Sequence, residues 1–195
     1  MRVKKLRRTV KGILPDWEIE RLCTEVQPPM ISPFISQKTG YPSRGLGSYG
    51  YDIALGHTFL FPKEGILLDP LDVKEEYWTK LWFDDGEGVI IQPHQHVLAE
   101  SVEYFHMPGD VMGICFGKST WARLGLIVNL TPIEAGWKGR LTLELHNATS
   151  NPIRLWVGTG IAQVIFFRGT MPPRCLYADL GGRYQGQEGV TLPKQ

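Results

Sequence analysis

The chain has 195 residues, of which 43% are hydrophobic and 21% are charged, and its formal net charge is +1. These values are typical of one folded domain with an apolar core, and the balanced charge gives no indication of a nucleic-acid partner. Three cysteines (Cys23, Cys115 and Cys175) are odd in number and far apart. We therefore expect neither a disulfide framework nor structural zinc, and predict a cytoplasmic protein. No apolar run approaches the ~18 residues of a membrane span, so no membrane contact is expected.

The N-terminal part of the chain divides into a basic extension, residues 1–15, and a short helix. The extension lacks the apolar run of ~7–15 residues that a signal peptide needs, and we interpret it as a solvated end rather than a nucleic-acid-binding arm. Residues 16–26 read D-W-E-I-E-R-L-C-T-E-V. Asp16 is placed to cap the first amides of a helix. The apolar residues that recur with the helical period are Ile19, Leu22, Cys23 and Val26.

Short apolar runs separated by Gly and Pro follow an irregular segment at 28–50, and they predict an all-β barrel or jelly roll. No domain boundary interrupts residues 1–195. Asp52 is either a turn residue that binds local amides or a support for a site. His94 and His96 are interpreted as ordinary edge or loop histidines, because no third metal ligand lies nearby. The predicted strands are 53–61, 65–68, 88–92, 96–102, 110–116, 124–130, 140–146, 153–157 and 161–167.

The residues best suited to chemistry begin at G-K-S-T-W-A-R, residues 117–123. Backbone amides at a helical turn, together with two hydroxyls and the cations Lys118 and Arg123, form a suitable cradle for phosphate. The alternative is a helix start whose charges face solvent. The segment is not a P-loop, because Met112 stands where that motif requires its first glycine.

Two carboxylates follow. In R-L-T-L-E-L-H, residues 140–146, Thr142 and Glu144 lie on the polar face of a predicted strand. Glu144 either faces water or lines a cleft, and a partly desolvated carboxylate in a cleft can serve as general acid and base. Glu134 lies in a turn, either as a surface residue or beside a sugar hydroxyl or a water. The glycine-rich tail, residues 179–195, is either a mobile end or a flap that closes on a ligand, with Arg183 on phosphate.

Three blocks resemble the dCTP deaminases of the dUTPase-like fold. They are G-K-S-T-W-A-R-L-G-L at 117–126, E-A-G-W-K-G-R-L-T-L-E at 134–144 and G-G-R-Y-Q-G-Q-E-G-V-T-L-P at 181–193. The resemblance implies a distorted β-barrel that assembles as a homotrimer with shared active sites. It also implies hydrolysis of dCTP to dUTP and ammonia, which supplies thymidylate synthesis, without zinc. The H-x-E and P-C-x-x-C signature of zinc deaminases is absent from the sequence.

The resemblance also assigns roles to residues. Glu144, Ser119 and Arg123 are implied to be catalytic, with Glu144 donating and accepting protons. Mg²⁺ is expected on the triphosphate of the substrate, with no metal held by the protein, and dTTP is a candidate inhibitor. Trp121 belongs to the nucleotide segment but is assigned to packing. The implied nucleotide contacts are Lys118, Ser119, Thr120, Trp121, Ala122, Arg123, Glu134, Trp137, Thr142, Leu143, Glu144, Gln163, Tyr177, Arg183 and Gln187.

Two departures from the family pattern keep alternatives open. Many members have Arg at the position of Lys118, and Asp at the position of Glu134. In the related dUTPases an Asp in such a turn activates the water that cuts the triphosphate, so Glu134 disfavours a bifunctional dCTP deaminase/dUTP diphosphatase. A non-catalytic nucleotide-binding barrel is a further alternative, since fold does not fix function.

Overall fold

The computed structural model describes residues 10–194, and the predictions for residues 1–9 and 195 lie outside that range. A single nine-residue helix, α1 (Asp16–Thr24), precedes the main strands. Ile19, Leu22 and Cys23 are buried as predicted, whereas Val26 lies beyond the end of the helix. The predicted cap is wrong in position: Pro15 is the N-cap residue, and Asp16 is the first residue of the helix, where its carboxylate accepts the amide hydrogen of Trp17 at 2.8 Å.

The remainder is built mainly from strands, and their bounds follow in chain order. They are β1 (Gly12–Ile13), β2 (Ile31–Ser32), β3 (Gly45–Gly47), β4 (Gly50–Pro62), β5 (Trp78–Trp82), β6 (Gly88–Ile91), β7 (His96–His106), β8 (Val111–Gly117), β9 (Leu126–Asn129), β10 (Lys138–Asn147), β11 (Ile153–Trp156) and β12 (Gly160–Arg168). A 3-10 helix (Glu75–Tyr77) precedes β5, and a five-residue helix, α2 (Ser119–Arg123), follows β8.

Ten strands form one curled sheet. Six of them follow the order β1-β12-β4-β7-β10-β9, and the other four branch from it: β2 pairs with β7, β3 and β5 pair with β4, and β8 pairs with β12. In a second sheet β11 pairs with β6. Residues alternate in burial along β10, with Leu141, Leu143 and Leu145 in the core and the polar residues between them facing outwards. This alternation gives the sheet a core face and a polar face. The predicted all-β fold with a short N-terminal helix is therefore confirmed. In the described range no helix is both long and apolar enough to cross a membrane.

One predicted strand is wrong, and four observed strands were missed: the short strands β1, β2 and β3, and the longer β5. Residues 65–68 form no strand, and Leu67 is 84% exposed. This apolar run lies between Pro62 and Pro70, and no strand pairs with it. Strand β5 escaped prediction because its residues are largely exposed, so they show no alternation of apolar and polar side chains.

An ion-pair network joins α1 to the sheet. The carboxylate of Glu18 pairs with Arg21 at 2.7 Å and with Arg168, and both Glu18 and Arg168 have side chains only 4% exposed. Arg168 also pairs with Asp110 at 3.0 Å. Burial raises the pKa of Glu18, but its hydrogen bonds to Arg21 and Arg168 outweigh that effect and hold the pKa below its usual value.

A second buried carboxylate lies where β4 leaves β7 to pair with β12. The register of β4 with β7 shifts between Leu55 and Phe59, so the ladder does not serve every amide there. Both oxygens of Glu103 accept the amide hydrogen of Ala54, at 3.0 and 3.2 Å. Glu103 is 1% exposed, and burial raises its pKa to about 7 despite that hydrogen bond.

Candidate functional site

The polar face of β10 forms the floor of a cavity of about 360 Å³. The predicted site residues around it come from the turn before β10, from β10 itself and from the C-terminal segment. Most of the other lining residues are apolar, so a ligand here would be partly removed from water. The lining residues are Leu98, Leu130, Thr131, Pro132, Ile133, Glu134, Trp137, Leu141, Thr142, Glu144, Tyr177, Tyr184, Gln187, Thr191 and Pro193.

Glu144 lies between this cavity and a second one of about 400 Å³, and it lines both. Directly opposite Glu144, on β9, stands Asn129, whose side-chain amide donates a hydrogen bond to Glu144 Oε2. The second cavity also contains His96 and His146, which are cross-strand partners. Partial burial of the imidazole lowers the pKa of His96, and the neighbouring Glu144 only partly offsets this.

The C-terminal segment lies across the first cavity. Thr142 Oγ1 accepts hydrogen bonds from the amide of Thr191 at 3.1 Å and from Gln187 Nε2 at 3.3 Å. The backbone of Gln187 forms a parallel bridge with Gly139, and its carbonyl accepts the amide hydrogen of Arg140 at 2.9 Å. These contacts place the tail over the site, which is the position that a flap would occupy. That the tail opens and closes on a ligand remains a prediction.

Aromatic residues hold the tail where it begins to cover the cavity. Trp137 is buried, and its indole N–H donates to the carbonyl of Tyr184 at 2.9 Å. The hydroxyl of Tyr177 accepts the amide hydrogen of Tyr184 at 3.2 Å. Glu134 is exposed on the rim of the cavity, one turn before Trp137. The rim and the floor therefore each contribute one carboxylate, from Glu134 and Glu144.

A separate cationic cluster lies at the start of α2. Lys118 Nζ is 2.6 Å from Asp52 Oδ2 and 3.2 Å from Ser43 Oγ, and the side chains of Lys118 and Asp52 are only 12% and 1% exposed. Lys38 approaches the same oxygen of Asp52 at 2.9 Å. Gln163 on β12 stands opposite Asp52 on β4. Asp52 therefore supports a predicted site residue, which was one of its two interpretations.

Helix α2 presents its polar residues to solvent. Ser119 and Arg123 are exposed, and Arg123 Nη1 donates to Ser119 Oγ at 3.4 Å. Trp121 is 4% exposed, and its indole N–H donates to the carbonyl of Gly160 at 2.8 Å. The assignment of Trp121 to packing agrees with this contact, which leaves its side chain unable to reach a ligand.

The structure thus divides the predicted site residues into two groups. Those of the cavity are Glu134, Trp137, Thr142, Glu144, Tyr177 and Gln187, and those of the cationic cluster and α2 are Lys118, Ser119, Thr120, Ala122, Arg123 and Gln163. None of the second group lines the cavity in this chain. Leu143 is fully buried in the core, so its side chain cannot contact a ligand. Arg183 is exposed and donates to the carbonyl of Lys194 at 3.2 Å, outside the cavity lining.

Sequence reasoning missed the residues that hold the functional groups in place. Asn129 lay inside a predicted apolar strand, 124–130, and only the β9–β10 register shows that it faces Glu144. Lys38 and Ser43 lie in the irregular Pro-, Gly- and Ser-rich segment, where no periodicity indicates a direction for the side chain. Across residues 10–194 no three His, Cys, Asp or Glu side chains are clustered so as to hold a metal ion.

A solved structure shares the fold of this chain. The deaminase of 2'-deoxycytidine 5'-triphosphate from Agrobacterium tumefaciens superposes with a TM-score of 0.64, over 83% of this chain and 49% of that chain. Its sequence is 20% identical, so the likeness shows the fold alone. The chain accordingly shares the fold of that solved deaminase.

The sequence comparisons go further than the fold. The model of the dCTP deaminase-like family matches residues 13–169. The dCTP deaminase of Campylobacter concisus (strain 13826) is 43% identical over 187 residues, which are 94% of this chain and 98% of that protein. The dCTP deaminase of Helicobacter pylori (strain Shi470) is 44% identical over 168 residues, 85% of this chain and 89% of that protein. The chain therefore belongs to the dCTP deaminase-like family, and the predicted family and enzyme class are confirmed.

Proposed function

We propose that this protein hydrolyses dCTP to dUTP and ammonia, with Glu144 as the general acid and base. The observation that carries the proposal is the position of Glu144 on the floor of a largely apolar cavity covered by the tail. A pyrimidine ring is flat, with apolar faces that suit the apolar lining and a polar edge, for which the hydroxyl of Thr142, on the same face of β10 as Glu144, offers a contact. The naming of relatives as dCTP deaminases supports the choice of substrate.

The chemistry requires several proton transfers at one place. Water loses a proton as it attacks C4 of the cytosine ring, N3 gains a proton, and the amine leaves as ammonia. One carboxylate can relay these protons in sequence, and positioned acid–base groups of this kind contribute about 10²–10⁴-fold in rate. Ser119 and Arg123 are the groups that we propose to position the water and balance the charge.

Glu144 and Arg123 belong to different groups in one chain, so we propose that the site is completed across subunits of a homotrimer. The cavity of one subunit would receive the exposed face of α2 from another. The cations and hydroxyls of α2 would then meet the triphosphate while Glu144 meets the base. Exposure of Ser119 and Arg123, outside the cavity of their own chain, supports this arrangement.

We propose that Mg²⁺ arrives bound to the triphosphate, where it neutralises charge. Mg²⁺ is commonly held through substrate phosphates and waters rather than by an all-protein cage. Independence from zinc is proposed because the sequence lacks the H-x-E and P-C-x-x-C signature of zinc deaminases. In the described part of the chain Cys23, Cys115 and Cys175 are free thiols, which supports a reducing cytoplasm as the location.

The position of Glu134 keeps one second candidate function open, although Glu in place of Asp disfavours it. It lies on the rim of the same cavity as Glu144, where a second carboxylate could activate water at the triphosphate. A bifunctional enzyme would release dUMP and pyrophosphate instead of dUTP. Analysis of the products distinguishes this bifunctional enzyme from a deaminase. In a bifunctional enzyme, Glu134→Gln would stop the release of pyrophosphate and leave the release of ammonia unchanged.

The testing experiment incubates the purified protein with dCTP and Mg²⁺, and resolves nucleotides, ammonia and pyrophosphate with time. Ammonia with accumulating dUTP supports the proposal, and activity that persists in a zinc-selective chelator supports zinc independence. Glu144→Gln should lower turnover by at least about 100-fold while dCTP still binds. Normal turnover by Glu144→Gln would show that another group carries the protons.

Shared sites can be tested by mixing two inactive variants. Glu144→Gln and Arg123→Ala each damage every site in a trimer of their own. A site built from Glu144 of one subunit and Arg123 of the next becomes intact in about one quarter of the interfaces of a randomly mixed 1:1 trimer. Recovery of about that fraction of wild-type activity after joint refolding supports the shared site, and no recovery contradicts it.

A further inference from the structure

Asn129 is the last residue of β9 and stands directly opposite Glu144 of β10. Facing residues of antiparallel strands have side chains on the same side of the sheet and close together. The amide of Asn129 donates to Glu144 Oε2, so it holds one carboxylate oxygen and leaves Oε1 for other partners. Beyond Asn129 the chain continues through Leu130 and Thr131, which line the first cavity.

The carboxylate of Glu144 borders two cavities, and the side chains around it differ from one cavity to the other. The second cavity contains His96 and His146, whose protonated forms would attract a carboxylate. Asn129 also lines that cavity, at its boundary with Glu144. The titratable and charged groups around Glu144 are Glu134, Tyr177 and Tyr184 in the first cavity, Asp69, Asp72, Tyr77, His96 and His146 in the second, and Arg140 further along the polar face of β10.

We propose that Asn129 is a positioning residue for the reaction, because its amide fixes Oε2 of Glu144 at the second cavity and so leaves Oε1 to act in the first cavity. The proposal rests on the proposed function of Glu144. A carboxamide suits the task since its NH₂ group donates to the carboxylate yet carries no charge. A donor to the carboxylate also holds it in place without supplying a charge, which suits a group that must first accept a proton from water.

The test uses a series at position 129 in the full-length protein. Asn129→Leu keeps the branched outline of the side chain and removes the donor. Asn129→Asp keeps the shape and adds a like charge, and Asn129→Gln keeps a donor on a longer stem. Ile127→Ala is the control, because Ile127 lies two residues earlier on the same face of β9, is 52% exposed and has no hydrogen-bonding side chain. Turnover of dCTP is measured from pH 5 to 9, with unfolding temperatures for every variant.

Asn129→Leu should lower kcat by about 10–100-fold with KM within about threefold, since a misplaced catalytic group costs rate rather than binding. The acid limb of its kcat profile should move up by about one pH unit, and that of Asn129→Asp by more. Asn129→Gln should recover most of the rate, and Ile127→Ala should keep the wild-type limb. A merely structural role would lower the unfolding temperature without moving the limb.

A wild-type rate and acid limb in Asn129→Leu would overturn the inference, as would a loss confined to KM. If Asn129→Leu folds poorly, Asn129→Asp carries the same test with an unchanged shape. Glu144→Gln separates the two levels of explanation. If Glu144→Gln retains turnover, the proposed function of Glu144 fails. If Glu144→Gln is inactive and the variants at 129 behave as wild type, only the role of Asn129 fails.

Discussion

Asp52→Asn is the substitution that best tests how α2 is held. It removes the charge of Asp52 and leaves the shape of the side chain unchanged. Asp52 Oδ2 receives Lys118, Lys38 and Ser43, whereas its buried Oδ1 has no hydrogen-bond partner in the described part of the chain. The compensation for burying this carboxylate therefore comes through one oxygen, and chiefly from Lys118 at 2.6 Å.

The size of the effect follows from burial. Breaking a buried ion pair by removing one partner costs about 3–5 kcal/mol, because the other charge stays buried without compensation. Lys118 retains Ser43 and is 12% exposed, so we expect the lower end, about 3 kcal/mol. For a domain of this size, 1 kcal/mol lowers the unfolding temperature by about 2–4 °C, which predicts a fall of about 10 °C.

Thermal and denaturant unfolding at one fixed protein concentration measure this change, and dCTP kinetics measure its effect on the site. Lys38→Met is the matched control: Lys38 contacts the same oxygen but is 44% exposed, so its loss should cost less than about 1 kcal/mol. Adding Lys118→Met to Asp52→Asn should recover part of the loss, because the uncompensated charge is then gone. If Asp52→Asn unfolds within about 0.5 kcal/mol of wild type, the ion pair does not hold α2 and the reasoning is refuted.

Three further predictions concern pH and the tail. The arginine partners lower the pKa of Glu18, so its stabilising effect is present above pH ~4.5 and is lost as the pH falls through the lower folded pKa. Glu18→Gln should therefore unfold at a lower temperature than wild type at pH 7, and its unfolding temperature should fall less on acidification. The pKa of Glu103 is raised to about 7, so its pH dependence runs the other way: its contribution to the unfolding free energy is full below pH ~4.5 and falls by up to roughly 3 kcal/mol as the pH rises through 7. Glu103→Gln should remove this pH dependence from the unfolding free energy. In Gly182→Ala the added Cβ would lie 2.1 Å from the ring of Tyr177, so this ring must move from its place at the cavity. The kcat/KM for dCTP should then fall about tenfold or more, and an unchanged value would show that Tyr177 does not position the substrate.

The fold was predictable where periodicity was strong. Strand β10 was found from its alternating leucines, and α1 from its apolar spacing. Both patterns show which residues share one face of an element, and they arise because that face is buried against the core. Residues 65–68 misled because apolar composition without a pairing partner does not make a strand. Strand β5 was hidden because an exposed edge strand needs no alternation.

The site was predictable in its chemistry but less so in its arrangement. Alternation showed that Thr142 and Glu144 share a polar face, yet it left open whether that face meets water. The cover comes from Thr191 and Gln187 of the tail, more than 40 positions away, through contacts with no local signal. Asn129 was missed for the same reason, since a cross-strand register is a tertiary fact.

Lys118 shows how one side chain can serve both the fold and the proposed site. A lysine ammonium has three N–H donors, and Asp52 Oδ2 and Ser43 Oγ take two of them within the described residues. The third donor can bind a phosphate oxygen, so the ion pair orients the ammonium and still leaves one N–H for the ligand. An arginine here would carry a larger, planar guanidinium, which would require this pocket, where the side chain of Lys118 is only 12% exposed, to open. Lys118→Arg should therefore weaken both stability and dCTP binding, even though the charge is conserved.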